Sequence, residues 1–228
     1  MISFSKVWKR YPGGLEALRN VSFTIEAGEM VFITGHSGAG KSTVLRLTAA
    51  IERPSGGSII VNGQNVGALR PGAIPYLRRN FGLVFQDQKL LFDRNVFENV
   101  MLPLHVNGFE RREAARRVRA ALDKVGLLAK EKANPITLSG GEQQRVAIAR
   151  AIVTDPDLIL ADEPTGNLDA ASARDVLTLL GRLNSEFGKT ILMVTHDPHA
   201  ARAARHIRYL DKDRKSTRLN SSHMSESR

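Results

Sequence analysis

The chain has 228 residues, 42% hydrophobic and 25% charged, a composition ordinary for a soluble globular protein with one sizeable core, with or without a subdomain. It contains no cysteine, which excludes disulfides and thiolate metal sites. The net charge of +10 points to anionic partners, whether nucleotide, nucleic acid or the inner face of a membrane, without choosing among them.

No apolar run approaches the roughly 18 residues that span a bilayer, and the start Met1-Ile2-Ser3-Phe4-Ser5-Lys6 has no signal-like apolar stretch. A membrane role is therefore expected to come through a partner. Residues 1–34 read as strands and turns: Ile2/Phe4 and Val21/Phe23/Ile25 follow period two, and Pro12-Gly13-Gly14 and Ala27-Gly28-Glu29 break them. Tyr11, just before the first turn, is either packing or an aromatic platform for a base, and Trp8 reads as packing.

Gly35-His36-Ser37-Gly38-Ala39-Gly40-Lys41-Ser42 fits G-x-x-x-x-G-K-[S/T], the phosphate-binding P-loop. The buried-strand pattern Met30–Ile33 precedes it, and a helix is expected from Thr43 to Ile51, with Val44, Leu45, Leu47 and Ile51 available for packing. The glycines let backbone N–H groups and the helix start face phosphate oxygens. In such a loop Lys41 reaches the β- and γ-phosphates and the Ser42 hydroxyl ligates Mg²⁺.

Ser58–Val61 reads as a strand ending at Asn62-Gly63, and Leu83-Val84-Phe85 as a short strand followed directly by Gln86. A polar residue at a strand's C-terminal end lies where open α/β sheets place ligand chemistry. From Asp87 to Pro135 the period becomes helical, with Ala114, Val118, Ala121, Leu122 and Val125 on one face. Arg112, Arg116, Arg117 and Arg119 lie largely off it and read as a solvated face. Leu90-Leu91-Phe92 and Val96–Leu102 are core or a groove for a partner helix.

Ser139 is a suitable N-cap and Glu142 completes a capping-box pattern, opening a helix whose buried face is Val146, Ala149, Ile152 and Val153. Gly140 and Gly141 shape that turn or seat a phosphate at the positive end of the helix dipole. Leu158–Ala161 is an apolar run typical of a buried parallel strand and ends in Asp162-Glu163. Two acids there need a cation, water or hydrogen bonds, so Asp162 suits Mg²⁺ and Glu163 suits a general base for water. Thr190–Thr195 is the last clear strand, with His196 at its end.

Together these residues resemble the ATP-binding cassette (ABC) ATPases, from Met1 to about Leu210. The stretch Leu138-Ser139-Gly140-Gly141-Glu142 is the most specific part of the match. The resemblance implies an α/β fold: a P-loop NTPase with a RecA-like core (residues 1–86 and 136–211), an N-terminal antiparallel β subdomain, and a helical subdomain at about 87–135 that continues into the signature helix. It assigns Tyr11 to adenine stacking and Gly35 through Thr43 (Gly35, His36, Ser37, Gly38, Ala39, Gly40, Lys41, Ser42, Thr43) to the phosphates. Ser139, Gly140, Gly141 and Glu142 would serve the nucleotide of a second subunit, Asp169 would lie in the D-loop, and Gln86 would be the Q-loop residue and a third metal-site group beside Ser42 and Asp162. Glu163 would be the base and His196 the switch histidine.

Finer matches, Met30–Ser42, Ile51–Ser55, Phe85-Gln86-Asp87, Asp93–Val100 and Ala120–Leu128, resemble the FtsE-type cell-division branch. That branch implies a homodimer with ATP and Mg²⁺ between subunits, an integral membrane partner of the FtsX type, other division proteins, and a place on the cytoplasmic face of the inner membrane. Lipoprotein-release and macrolide-export ATPases share Glu163–Asp169 and are the rival branch. An ABC protein acting on DNA or ribosomes would carry coiled-coil insertions or two cassettes; neither is here, so no specific nucleic acid is expected. The resemblance ends near Asp211, and the serine-rich residues 212–228 are expected to be disordered and non-native.

Overall fold

Alternating apolar residues at the N-terminus form strands that bury one face. The computed structural model describes residues 1–196, 206–210 and 220–222. The chain divides into two compact units, Met1–Arg78 with Thr190–Arg228, and Arg79–Lys189.

In the first unit, β1 (Ile2–Arg10) pairs antiparallel with β2 (Glu16–Ile25) and with β4 (Gly56–Val61), which turns through Asn62 and Gly63 into β5 (Gln64–Asn65). Both turn residues have positive φ, 49° and 77°, the combination a two-residue hairpin requires. The inward set Ile2, Phe4, Val7, Val21 and Ile25 is fully buried, and Phe4 stacks on Phe23 with ring centroids 4.4 Å apart. Trp8, expected to pack, lies over Gly56 and remains partly exposed.

The same unit holds a parallel array in which β3 (Met30–Thr34) lies between β8 (Thr190–Val194) and β9 (His206–Tyr209). Buried along their length, β3 and β8 are apolar apart from Thr34 at the end of one and Thr190 at the start of the other. Helix α1 spans Lys41–Thr48, shorter than the sequence pattern suggests. Ala50 adopts φ 53° and the Ile51 N–H donates to the Arg46 carbonyl, which ends the helix and leaves Ile51 50% exposed instead of packed. A short helix, α2, spans Ile74–Arg78. Of residues 212–228, only β10 (Asn220–Ser222) is described, antiparallel to β9; the expectation of disorder for the others falls outside the described residues.

The second unit carries β6 (Phe81–Phe85) parallel to β7 (Leu158–Asp162), with helices α3 (Val96–Val106), α4 (Arg111–Lys124), α5 (Gly140–Ile152) and α6 (Ala170–Ser185). Helix α5 packs against β6, α3, α4 and α6. Its approach to β6 leaves no room at Gly82, where a Cβ would lie 2.6 Å from the Ala151 carbonyl oxygen. On α4 Ala114, Val118, Ala121 and Leu122, with Val125 at its C-cap, are buried as their spacing requires. The arginines opposite make surface ion pairs, Arg116 and Arg117 with Glu113 and Arg119 with Glu131. No helix among the described residues is long and apolar enough to cross a membrane.

The loop before α3 depends on one buried amide. Leu90 packs inside while Leu91 and Phe92 are exposed, and from α3 itself Asn99, with no exposed surface, reaches back to this loop. Asn99 Oδ1 accepts from the Leu91 N–H (2.8 Å), and its Nδ2 donates to the Leu91 (2.9 Å) and Asn95 (3.0 Å) carbonyls. Asn95 in turn caps α3 in a capping box with Glu98. Asn99→Leu keeps the volume but orphans these buried groups, so it should cost about 2–3 kcal/mol of unfolding free energy, read from urea denaturation.

Candidate nucleotide site

In the first unit β3 delivers the chain to Gly35 at its C-terminal end, and the loop turns there through Gly35, Gly38 and Gly40, with φ of 155°, 75° and 92°. A Cβ at Gly35 would run into the Leu210 carbonyl oxygen and one at Gly40 into that of Ala17, so the loop is seated on backbone that only glycine can approach. Gly38 has open space where its Cβ would be, and Ala39 is buried while His36, Ser37 and Gly38 are exposed. The Ala39 N–H donates to the His36 carbonyl at 3.1 Å, closing the turn.

Helix α1 follows with Gly40 as N-cap, a residue with no side chain to make a cap hydrogen bond. By contrast, Asn95, Glu110, Ser139 and Asp169 cap α3, α4, α5 and α6 with their side chains. Lys41 is only 8% exposed, and its ammonium donates to the Gly35 (2.8 Å) and His36 (3.1 Å) carbonyls. Two neutral carbonyls balance little of a buried positive charge, so loop and helix start together fit a phosphate anion.

Tyr11 lies beside this loop. Its hydroxyl is 3.3 Å from the Thr43 hydroxyl, and the Lys9 ammonium sits 4.9 Å from the ring centroid. It lines an open cavity of about 610 Å³ with Trp8, Pro12, Glu16 and Gly56, wide enough for a planar base. His196 is placed at the same sheet edge as Gly35: Val194 of β8 pairs with Ile33 of β3, and the Thr195 N–H donates to the Ile33 carbonyl at 3.1 Å.

The second unit brings together Gln86, Asp162 and Glu163. Phe85 is in register with Asp162, so Gln86 and Glu163 leave β6 and β7 side by side at one end of the pair. Both acids are half-buried, and Glu163 has φ 51°, a left-handed conformation disfavoured for a side chain with a Cβ. The Gln86 Nε2 donates to Asn167 Oδ1 at 2.9 Å, a partner that nothing local in the sequence identifies. Among the described residues no three His, Cys, Asp or Glu gather into a metal cage. Magnesium takes few protein ligands and completes its shell with phosphate and water, and the paired strand ends that carry Asp162 and Gln86 offer oxygens of the kind it takes.

The start of α5 is built as expected. Ser139 Oγ accepts from the Glu142 N–H (3.2 Å) and Glu142 Oε2 from the Ser139 N–H (3.0 Å). Ser139 and Gly140 are exposed, whereas Gly141 is buried, its Cβ position 2.7 Å from Ser172 Oγ. Asp169 caps α6, accepting from the Ala171 and Ser172 N–H groups and from the Ser172 hydroxyl (2.6 Å), which holds its carboxyl below the usual range. The sequence analysis missed Gln144 and Arg150, whose side chains reach the Gln86 loop; the only signal was a glutamine on the buried side of α5.

Glu142 is also depressed, first by the hydrogen bond from Lys130 and then by the Ser139 N–H. A carboxyl with a lowered folded-state pKa stabilises fully above its ordinary value of 4.5 and loses that contribution as pH falls through the lowered one. Glu142→Gln should therefore lose less stability than the parent below about pH 4.5, compared through urea midpoints across an acid series.

The model of the ABC transporter family matches residues 18–166, nearly two thirds of the chain. The cell division ATP-binding protein FtsE of Escherichia coli K12 is 54% identical over 197 residues, covering 86% of this chain and 88% of that protein. Its Bacillus subtilis counterpart is 45% identical, with 86% of each covered. The methionine import ATP-binding protein MetN of Rhizobium meliloti is 45% identical over 207 residues, but the match spans only 58% of its length. Among solved structures, the dimeric ATP-binding cassette MJ0796 in a post-hydrolysis state bound to ADP and Pi superposes with TM-score 0.87 at 35% identity, covering all of both chains. The uncapped helix start, the lysine in its loop, the acids at the strand end and these relationships have one reading: the chain belongs to the ABC transporter family, as one of its ATPase cassettes.

Proposed function

We propose that this cassette is the ATPase subunit of an FtsEX-like membrane complex in bacterial cell division. It would lie on the cytoplasmic face of the inner membrane through an FtsX-like partner and couple ATP-driven dimerisation to the control of peptidoglycan hydrolases. The observation that carries the reading is the 54% identity extending over 88% of the cell-division relative, where the import relative is matched over 58%. A second reading, a lipoprotein-release or export ATPase, would use the same chemistry with a different membrane partner.

Bound ATP with Mg²⁺ supplies a γ-phosphoryl group whose negative charge is partly neutralised for attack by water. The residues of this chain do the rest. Gly35 to Gly40 present backbone N–H groups to the phosphates, Lys41 turns its ammonium from carbonyls to phosphate oxygen, and Tyr11 offers a ring to the base. Ser42, Asp162 and Gln86 would hold the metal. Glu163 takes the proton of the attacking water as the bond from the γ-phosphorus to its bridging oxygen breaks, and His196 orients the γ-phosphate. In a dimer the Ser139-Gly140-Gly141 end of α5 would meet the nucleotide held by the other subunit, and hydrolysis would remove the phosphate that bridges the two.

Glu163→Gln should bind ATP normally and hydrolyse it at least about a hundredfold more slowly, in a phosphate-release assay. Used as an ATP-trapped bait in native membranes, that variant should retain an FtsX-like permease with ATP and not without it. Recovery of a lipoprotein-release, export or import permease instead would overturn the division reading and leave the ATP chemistry standing. A finer check is Gly166→Ala, whose Cβ would lie 2.8 Å from the Gln86 amide nitrogen. That flexible amide can swing aside, so folding should survive while kcat falls about tenfold to a hundredfold from the displaced Gln86.

A further inference from the structure

The turn that ends α1 carries strain without a gain in packing. Ala50 takes a left-handed φ of 53°, and Ile51 after it is left exposed. The turn is nonetheless firmly held. The Arg78 guanidinium donates to the Ala49 (3.1 Å) and Ala50 (2.9 Å) carbonyls, and the Ile51 and Glu52 N–H groups both donate to the Arg46 carbonyl, at 2.8 and 3.2 Å. What the reversal delivers is the next side chain, the Glu52 carboxylate, to the residues around the end of β1.

Three groups converge on that carboxylate. The Lys9 ammonium is 3.1 Å away and the Arg46 guanidinium 3.3 Å, with the Glu52 side chain only 18% exposed and that of Lys9 13%. The third is the Tyr11 hydroxyl, which hydrogen-bonds to it. Burial alone would raise the Glu52 carboxyl, but the hydrogen bonds from Tyr11, Lys9 and Arg46 outweigh it and hold the group below its ordinary range. With its proton given to Glu52, the Tyr11 hydroxyl is left to accept from the Thr43 hydroxyl, 3.3 Å away in the first turn of α1. Lys9, fixed also on the Arg53 carbonyl at 2.9 Å, lies over one face of the Tyr11 ring and leaves the opposite face for a base. An ion pair serving stability alone would need only Lys9 or Arg46; the Tyr11 hydroxyl adds the ring to the network.

We infer that Glu52 is a positioning residue for nucleotide binding, fixing the Tyr11 ring through its hydroxyl and through the Lys9 behind it, so that the platform for the base is formed before nucleotide arrives. A tyrosine beside a turn has side-chain torsions to lose when a base stacks on it, and a ring ordered in advance spares the complex that cost. The phosphates, held by the glycine loop and Lys41, are untouched by this device. The inference rests on the reading of Tyr11 as the platform for the base.

The test uses the full chain with two probes and Mg²⁺: ADP, which the protein does not hydrolyse, and inorganic pyrophosphate, which has phosphates but no base. Both affinities are measured by calorimetry. Trp8, the chain's one tryptophan, lines the same cavity as Tyr11, so its emission reports the base locally. Glu52→Leu should weaken ADP about threefold to tenfold and leave pyrophosphate within about twofold. Glu52→Gln should recover part of the loss, because its amide oxygen still accepts from the Tyr11 hydroxyl. Tyr11→Phe, which keeps the ring and removes the hydroxyl, should act in the same direction as Glu52→Leu and serves if that variant does not fold. Tyr11→Leu should weaken ADP about tenfold or more and abolish the change in Trp8 emission, and adding Glu52→Leu to it should cost no more than about a further twofold. Equal losses of ADP and pyrophosphate in Glu52→Leu, a full further loss in the Tyr11→Leu background, or unchanged ADP affinity in Tyr11→Phe would overturn the positioning role. Unchanged ADP affinity in Tyr11→Leu would instead overturn the platform reading on which it rests.

Discussion

The N-terminus of α1 begins in a way the other longer helices avoid. Asn95, Glu110, Ser139 and Asp169 each give a side-chain oxygen to the first turn they precede, but Gly40 has none to give. Directly behind it Lys41 is buried on two carbonyl oxygens. A helix start that its N-cap leaves without a side-chain oxygen and a buried ammonium both favour an anion. The surrounding structure must therefore hold the loop from outside, which is what β3 between β8 and β9, and the seating of Gly35 and Gly40 against the Leu210 and Ala17 backbone, accomplish.

The second unit concentrates strain at its own strand edge. Glu163, Gln88 and Lys89 all take left-handed backbone conformations without being glycine. Each follows a buried parallel strand, β7 or β6, that fixes where the chain emerges. The Gly166 N–H donating to the Glu163 carbonyl and the Arg150 guanidinium on the Gln88 and Lys89 carbonyls hold these conformations in place. A carboxylate at a strained position after a rigid strand has little freedom to wander, and little reorganisation is then needed when a proton is to be accepted.

Much of the site was readable before any coordinates. The P-loop, the capping box at Ser139 and Glu142, and the acids at the end of Leu158–Asp162 are encoded by neighbours within a few residues, because helix caps, tight glycine turns and buried strands are local in origin. The buried face of α4 followed from helical period alone. Where local reading went astray, a backbone detail decided: α1 stops at Thr48 because Ala50 turns left-handed, although the apolar spacing continues to Ile51. No periodicity encodes that reversal.

By itself the sequence determined which chemistry is available and roughly where: the phosphate loop, the carboxylates at a strand end, the signature turn, and membership of the ABC family. The tertiary structure alone decided which groups work as pairs. Gln86 meets Asn167 across 81 residues, Gln144 meets Phe85 across 59, and Arg150 meets Gln88 across 62. Such pairings depend on how α5 lies against β6 and how β6 registers with β7. Those in turn are set by packing of side chains far apart in the chain, for which the sequence carries no local pattern.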